Sequence, residues 1–249
     1  MKSGAYYEHP RTELLDLLST PPHRLLDVGC GSGATSRAAK LRWGSVETIG
    51  IEVVPEVAER ARAVVDHVIV GSAETLDLRE AALQNIDAVL LADVLEHLID
   101  PWRFLARLRP ALRDDAAVAA SIPNAANLWL IEELASGRFD YGADGLLDVT
   151  HLRFFTRSSI ERLFGQAGFC IERWERVTDG RVDDSTRRRR LGITLPPYRA
   201  GRVTGRKVTI RELDASRYED LRTVQFLVVA RPFAGANARA ERAADRSGG

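Results

Sequence analysis

The stretch at 25–35, LLDVGCGSGAT, constrains the fold of this chain more than any other. An apolar run of strand character feeds directly into glycines at 29, 31 and 33, and a helical pattern follows. A turn that tight, with its backbone open to a ligand, needs residues without a Cβ. The start of the following helix offers N–H groups without intrahelical partners and the positive end of the helix dipole. About 20 residues further on, Glu52 closes a second apolar run, where a carboxylate can accept hydrogen bonds from both hydroxyls of a ribose. A strand–turn–helix–strand unit that holds a nucleoside is therefore expected. Spacing alone leaves the nucleoside open, because Gly29, Gly31 and Ala34 also satisfy the dinucleotide fingerprint GxGxxA.

Beyond that unit, short apolar runs alternate with helical patterns, which predicts an α/β fold with a mostly parallel sheet. The expected strands are Arg24–Val28, Glu47–Glu52, His67–Val70, Ile86–Ala92, 116–122, 169–177 and 223–231. Helices are expected at 55–65, at 101–112, where Phe104, Leu105, Leu108 and Leu112 share a face, and at 124–135. Thr156 can cap a further helix that places Ile160, Leu163, Phe164 and Ala167 at helical spacing and stops at Gly168. Residues 136–155, rich in Gly and Asp, read as a loop. The division that follows is an N-terminal cap at 1–23, a core at 24–177 and 223–233, a basic insertion or lid at 178–222, and a tail at 234–249 whose Ala/Arg/Gly composition predicts disorder.

Charge and cysteine usage narrow the function classes. Lys plus Arg and Asp plus Glu are equal at 35 each, so the whole chain carries no bias toward a polyanionic partner. Arginines concentrate in the insertion, in the run 187–190 and around it, with only Tyr198 as an interleaved aromatic. Nucleic-acid binders interleave more aromatic residues with their basic ones, which argues against a nucleic-acid acceptor. The two cysteines, Cys30 and Cys170, are far apart and outside any CxxC pair, so neither a disulfide framework nor a zinc site is expected, and no metal site is legible, although an Asp or Glu pair could still bind magnesium with water. No secretory leader and no run of roughly 18 apolar residues is visible, which makes the cytoplasm the expected compartment.

Four motifs in order, LLDVGCGSG, IGIE, GSAETLDL and IDAVLLADVLEHL, resemble the class I S-adenosylmethionine-dependent methyltransferases over roughly residues 6–177. The resemblance implies a Rossmann-like fold with a seven-stranded, mostly parallel sheet, helices on both faces, and S-adenosylmethionine as cofactor. Asp27, two residues ahead of the first glycine, sets this motif apart from the usual dinucleotide one. By the same resemblance Gly29, Gly31 and Gly33 face the methionine and ribose part, and Asp27 orders the loop or meets the ammonium. Glu52 holds the ribose. Ser72, Ala73 and Glu74 lie by the adenine, although the family commonly has Asp at the position of Ser72. Ala92, Asp93 and Val94 lie beside the sulfonium. A helix-start cap is the plainer role for Asp93, Glu96 and His97, and Val53 and Val54 read as apolar packing.

A hydroxyl acceptor is a poor nucleophile and benefits from a general base, for which histidine suits neutral pH. The segments SIPN, GRFDY and LLDVTHLRFFT resemble a subgroup of methyltransferases associated with polysaccharide and glycan biosynthesis. That resemblance implies O-methylation of a sugar, glycan or related natural product. His151 is then the candidate base and Asp148 the residue that orients or charges it. Asn124, Arg153 and Tyr141 are candidate acceptor contacts, with Trp129 and Phe155 as further aromatic surfaces. The alternative is that Asp148, His151 and Arg153 only knit the loop to the domain. Other function classes stay open: N- or C-methylation of a small molecule, a non-catalytic cofactor-binding partner of another enzyme, and a nicotinamide-dependent oxidoreductase.

Overall fold

Strands form where β-branched and leucine-rich runs can be covered on both sides, and the sheet shows this directly. A computed structural model describes residues 7–80, 83–178 and 215–233, without side chains at 215–218. The elements are α1 (Thr12–Leu17), β1 (Arg24–Val28), α2 (Ala34–Trp43), β2 (Glu47–Glu52), α3 (Pro55–Ala61), β3 (His67–Val70), β4 (Ile86–Ala92), α4 (Pro101–Leu108), β5 (Leu112–Pro123), α5 (Leu128–Ala135), α6 (Arg157–Gln166), β6 (Phe169–Thr178), α7 (Ala215–Arg222) and β7 (Thr223–Pro232). Most of the insertion expected at 178–222, including the arginine run, lies outside the described residues, as does the tail at 234–249.

The strand order is β3-β2-β1-β4-β5-β7-β6. β1 to β5 pair in parallel, while β7 runs antiparallel between β5 and β6. A dinucleotide-binding Rossmann sheet runs 3-2-1-4-5-6, so the inserted antiparallel β7 removes the oxidoreductase alternative at the level of topology.

Side chains alternate between the two faces along each strand. Leu26, Val89, Leu91, Val118 and Ala120 face Phe104 and Leu105 of α4 and Ile160 and Phe164 of α6. On the opposite face Leu25, Leu90, Ala119, Leu227 and Val229 meet Leu14, Leu15 and Leu17 of α1 and Ala39 of α2. The expected N-terminal cap is thus partly structural, since α1 covers one face of the sheet.

Several boundaries move from their expected places. α3 stops at Ala61, and residues 62–65 turn back toward β3. The helix expected at 101–112 ends at Leu108. A 3₁₀ turn at Arg109–Ala111 contains Pro110, whose ring blocks continuation, and the buried Leu112 opens β5 instead. The helix expected from Asn124 starts at Leu128, because Asn124 closes a turn on Ala126 N–H (3.0 Å) and Asn127 is the N-cap, accepting from Trp129 N–H at 3.0 Å. No helix of the described residues is long and apolar enough to cross a membrane.

Candidate active site

The carboxyl ends of β1 to β4 open onto a cavity of about 830 Å³, a size that suits a nucleoside ligand. Asp27, Gly29 and Gly31 line it from β1 and its turn, and Glu52 lines it from β2. Ser72, Ala73 and Glu74 line it after β3, and Ala92, Asp93 and Val94 line it at the end of β4. Gly33 does not. It is the left-handed residue that starts α2 (φ 83°), and a Cβ there would lie 2.6 Å from Val64, so it serves helix packing. Gly31 needs its glycine for another reason. Its φ is +56°, and a Cβ would lie 2.9 Å from the Tyr7 carbonyl oxygen. That same oxygen accepts from Ser32 N–H at 3.1 Å and Ser32 Oγ at 2.7 Å, which ties the N-terminal segment to the glycine turn.

The cavity's carboxylates are prepared for a ligand. Glu52 is buried; its Oε2 accepts from Gly31 N–H at 3.0 Å and its Oε1 from Val54 N–H at 2.9 Å. Each oxygen keeps a lone pair for a further donor, such as a ribose hydroxyl. Asp27 is also buried, and its Oδ2 has no hydrogen-bond partner among the described residues. Burial pushes the Asp27 carboxyl up to about 7, and the nearby Glu52 adds to the rise. An ammonium group beside it would satisfy the orphan oxygen. Val53, 62% exposed, lines the cavity with Val54, Ala73 and Leu98. Val53 is therefore an exposed apolar part of the cavity wall and not core packing. Ser72 Oγ accepts from Glu74 N–H at 3.3 Å, while the Glu74 carboxylate accepts from Ile99 N–H (3.1 Å) and Asp100 N–H (2.8 Å) and so braces the entry to α4. These groups fit S-adenosylmethionine: a carboxylate for the ribose, an unpaired carboxyl oxygen for the ammonium, and apolar surface for the adenine. Cys30 is buried beside Gly50, and burial pushes its thiol up, so it packs and does not react.

Asp93 does not cap a helix. Its backbone is left-handed (φ 53°), a conformation that costs energy for a residue with a Cβ and persists only when its surroundings hold it. Those surroundings are the Arg11 guanidinium, the Gln225 amide, and Ser121, whose Oγ lies 2.9 Å from Oδ1 and accepts from Asp93 N–H at 3.0 Å. Arg11, from the N-terminal segment, lines the cavity and carried no signal in the sequence.

A second cavity of about 790 Å³ adjoins the first, and Tyr7, Asp93, His97 and Thr150 line both. His151, Asp148 and Glu96 line the second. The loop carrying His151 docks through Leu152 N–H and Arg153 N–H, which donate to the Glu96 carbonyl at 2.8 and 3.0 Å. His151 Nδ1 donates to the Leu146 carbonyl at 3.1 Å, and burial, with His97 adding, pushes its imidazole below the usual value. Asp148 accepts from Thr150 N–H at 2.9 Å and Thr150 Oγ1 at 2.7 Å, shaping the turn that presents His151. Glu96 is buried, and neither carboxylate oxygen has a hydrogen-bond partner among the described residues. Burial and the charge of Asp93 push its carboxyl well above the ordinary range.

The three expected acceptor contacts lie elsewhere. Asn124 is fully buried, and its amide donates to the carbonyls of Asp220 (2.7 Å) and Thr223 (2.9 Å), tying β5 to β7. Arg153 donates to the Ile99 carbonyl and lies over the Trp102 ring at 5.9 Å. Tyr141 is exposed and meets Phe139 edge-on. None of the three lines either cavity. Phe155 is core, and Trp129 packs against Leu130, Leu146 and Leu147.

Fold and cofactor cavity together define a class I S-adenosylmethionine-dependent methyltransferase domain. Residues 4–173 match the family described as "Methyltransferase domain", and the chain belongs to that family. It is 30% identical over 126 residues to the trans-aconitate 2-methyltransferase of Pseudomonas aeruginosa, covering 50% of this chain and 45% of that protein. It is 28% identical over 153 residues to the malonyl-[acyl-carrier protein] O-methyltransferase of Geobacter sulfurreducens, covering 59% and 56%. The chain thus spans about half the length of the curated relatives it matches. Among solved structures, a methyltransferase chain in complex with the Haloferax volcanii Trm112 methyltransferase activator aligns at TM-score 0.60 and 16% identity, over 92% of this chain and 91% of the other. The magnesium protoporphyrin IX methyltransferase of Synechocystis, solved with SAH (S-adenosylhomocysteine) bound, aligns at TM-score 0.54 and 12% identity, over 89% and 79%.

Proposed function

We propose that this protein transfers the methyl group of S-adenosylmethionine to a hydroxyl oxygen of a small polyhydroxylated acceptor, such as a sugar, a glycan end or a related natural product. The cofactor, when bound, supplies a methyl group on a positively charged sulfur. What the protein must add is alignment, exclusion of water and activation of the acceptor. The observation that carries this reading is the adjoining second cavity, which meets the first at Asp93 and His97 and holds His151 on its own side.

His151 is the base in this reading. Its Nδ1 is committed to a backbone carbonyl, so Nε2 keeps a lone pair. Its lowered pKa keeps the ring neutral and able to accept a proton at neutral pH. Asp148 acts by shaping the turn beneath it.

The charge of the second cavity argues against an anionic acceptor. Asp93, Asp144 and Asp148 line it beside Glu96, whose carboxyl burial holds toward its neutral form, with no Lys or Arg among the described lining residues. A polycarboxylate such as trans-aconitate, named in one relative, would meet like charge there. The same lining suits an amine, so N-methylation of a small cation is the second reading. Purified protein, isotopically labelled S-adenosylmethionine and a panel of sugars, sugar nucleotides, amines and carboxylates decide among them. Label appearing on a hydroxyl supports the leading reading, and label only on nitrogen or carboxylate oxygen removes it. Binding of the cofactor without transfer to any acceptor would favour a non-catalytic role.

A further inference from the structure

Three side chains converge in the wall of the second cavity, one of them, His97, also lining the first. Glu96 and His97 belong to the single 3₁₀ turn at Leu95–His97 after β4, and His151 comes from the loop docked on that turn. One candidate ligand atom from each lies within 4.8 Å of the other two. The two imidazoles meet edge-on, with centroids 4.9 Å apart and planes at 66°.

All three groups offer lone pairs. His97 Nδ1 lies 3.0 Å from the Thr150 carbonyl oxygen, and His151 Nδ1 lies 3.1 Å from that of Leu146. A carbonyl oxygen only accepts, so Nδ1 carries the hydrogen in both rings and Nε2 is left with its lone pair. Glu96 is 1% exposed, and neither of its oxygens finds a donor among the described residues. Acceptors gathered this closely, away from water, need something positive among them. Asp93 and Asp148 add negative charge nearby, and the Arg11 guanidinium is already paired with Asp93.

We propose that Glu96, His97 and His151 bind a divalent first-row cation of the zinc type. Two imidazoles and one carboxylate match that class, whereas magnesium and calcium prefer oxygen ligands throughout. A backbone carbonyl on the outer nitrogen of each histidine is the arrangement that fixes ring orientation and basicity in metal sites. Three protein ligands leave a coordination position open, and His97 lines both cavities, so the position is reachable from where an acceptor would sit. This rests on the proposed function only for the cation's task, which is to polarise an acceptor oxygen. In that case His151 holds the cation in place of taking the proton itself.

The test uses the full, untagged chain freed of metal with a chelator. Titration with zinc is followed by calorimetry, and cobalt(II) is followed by its visible absorption. One equivalent is expected to bind, with cobalt bands of a low-coordinate nitrogen–oxygen site. Glu96→Gln, His97→Gln and His151→Gln should each weaken binding about 100-fold or more. SAH titration of every variant checks that it is folded. Two results overturn the proposal: no binding of zinc, cobalt(II) or manganese(II) up to millimolar concentrations by protein that binds SAH, or undiminished binding by all three variants. If a proton and not a metal sits among the three groups, Glu96→Gln will raise the melting temperature while zinc leaves the parent protein's unchanged, which also overturns it. Protein that binds zinc at this site but not SAH would leave the cation site standing and remove the methyltransferase reading.

Discussion

The two cavities share a wall and differ in what holds them in place. In the cofactor cavity Glu52 is satisfied within the strand–turn framework, accepting from Gly31 and Val54, and one oxygen of Asp27 has no partner among the described residues. In the second cavity Asp148 and His151 find their partners within their own loop, and a whole carboxylate, Glu96, is left without a donor among the described residues. The first lies where the strand order reverses between β1 and β4, a position that parallel sheets leave open at their carboxyl ends. The second depends on a loop held to the core by a few backbone hydrogen bonds. One cavity is thus fixed by topology and the other by loop docking. Mutations should separate the two.

The strongest separation should come from Glu52→Ala. It removes the acceptors for two ribose hydroxyls, each charge-assisted bond being worth about 1.5–3 kcal/mol. SAH affinity should fall about 1,000-fold by calorimetry, with acceptor binding untouched. A loss of less than tenfold would show that the carboxylate only braces the glycine turn.

His151→Gln should give the mirror image. The rate should drop about 100-fold, whether the ring takes a proton or holds a cation, while SAH affinity stays within about twofold. An unchanged rate would return His151 to a structural role in the loop.

Asn124→Ala tests the boundary between site and scaffold. The sequence placed this residue at the acceptor. The structure commits it to the backbone of α7, β7 and the following turn. Removing it leaves buried groups unpaired, at a cost of about 2 kcal/mol read from denaturant unfolding. KM for the acceptor should not change, and a raised KM with intact stability would reverse the assignment.

What was legible follows from the same contrast. The seven strands and the cofactor turn could be read because each is a contiguous run with its own signal: apolar stretches, glycines, and an acid at a strand end. Pro110 was also a visible signal, and reading the helix through it to Leu112 overlooked a local rule. The exposed run Arg113–Asp115 hid the start of β5, since it bulges out between the Ile86–Leu112 and Ala88–Ala117 pairs, where apolar side chains are not needed. Arg11 could not have been found, because its partner Asp93 is 82 residues away and only the folded sheet brings them together. Glu96 was misjudged for the same reason: a Glu after a strand reads as surface or cap until the loop at 136–155 covers it. For Arg153 and Tyr141 the motif was visible, but the direction of their side chains was not.

The smallest effect probes the cofactor cavity's one unsatisfied group. Burial holds the Asp27 carboxyl at about 7 instead of the usual 3.8. The folded state therefore favours the proton. The stability this contributes is complete below pH 3.8 and is lost as pH rises through about 7. A ligand ammonium reverses the preference, because it pairs with the ionised form. At pH 6 most of the protein must lose that proton to bind, and at pH 8 almost none must. SAH affinity should thus be about tenfold higher at pH 8 than at pH 6, and its stabilisation of the fold correspondingly larger. Asp27→Asn removes the titrating group and should leave affinity flat between those two values. If the parent protein shows no rise while Asp27→Asn weakens binding, the carboxylate is already ionised in the free protein. The orphan oxygen would then owe its charge to a partner other than the cofactor.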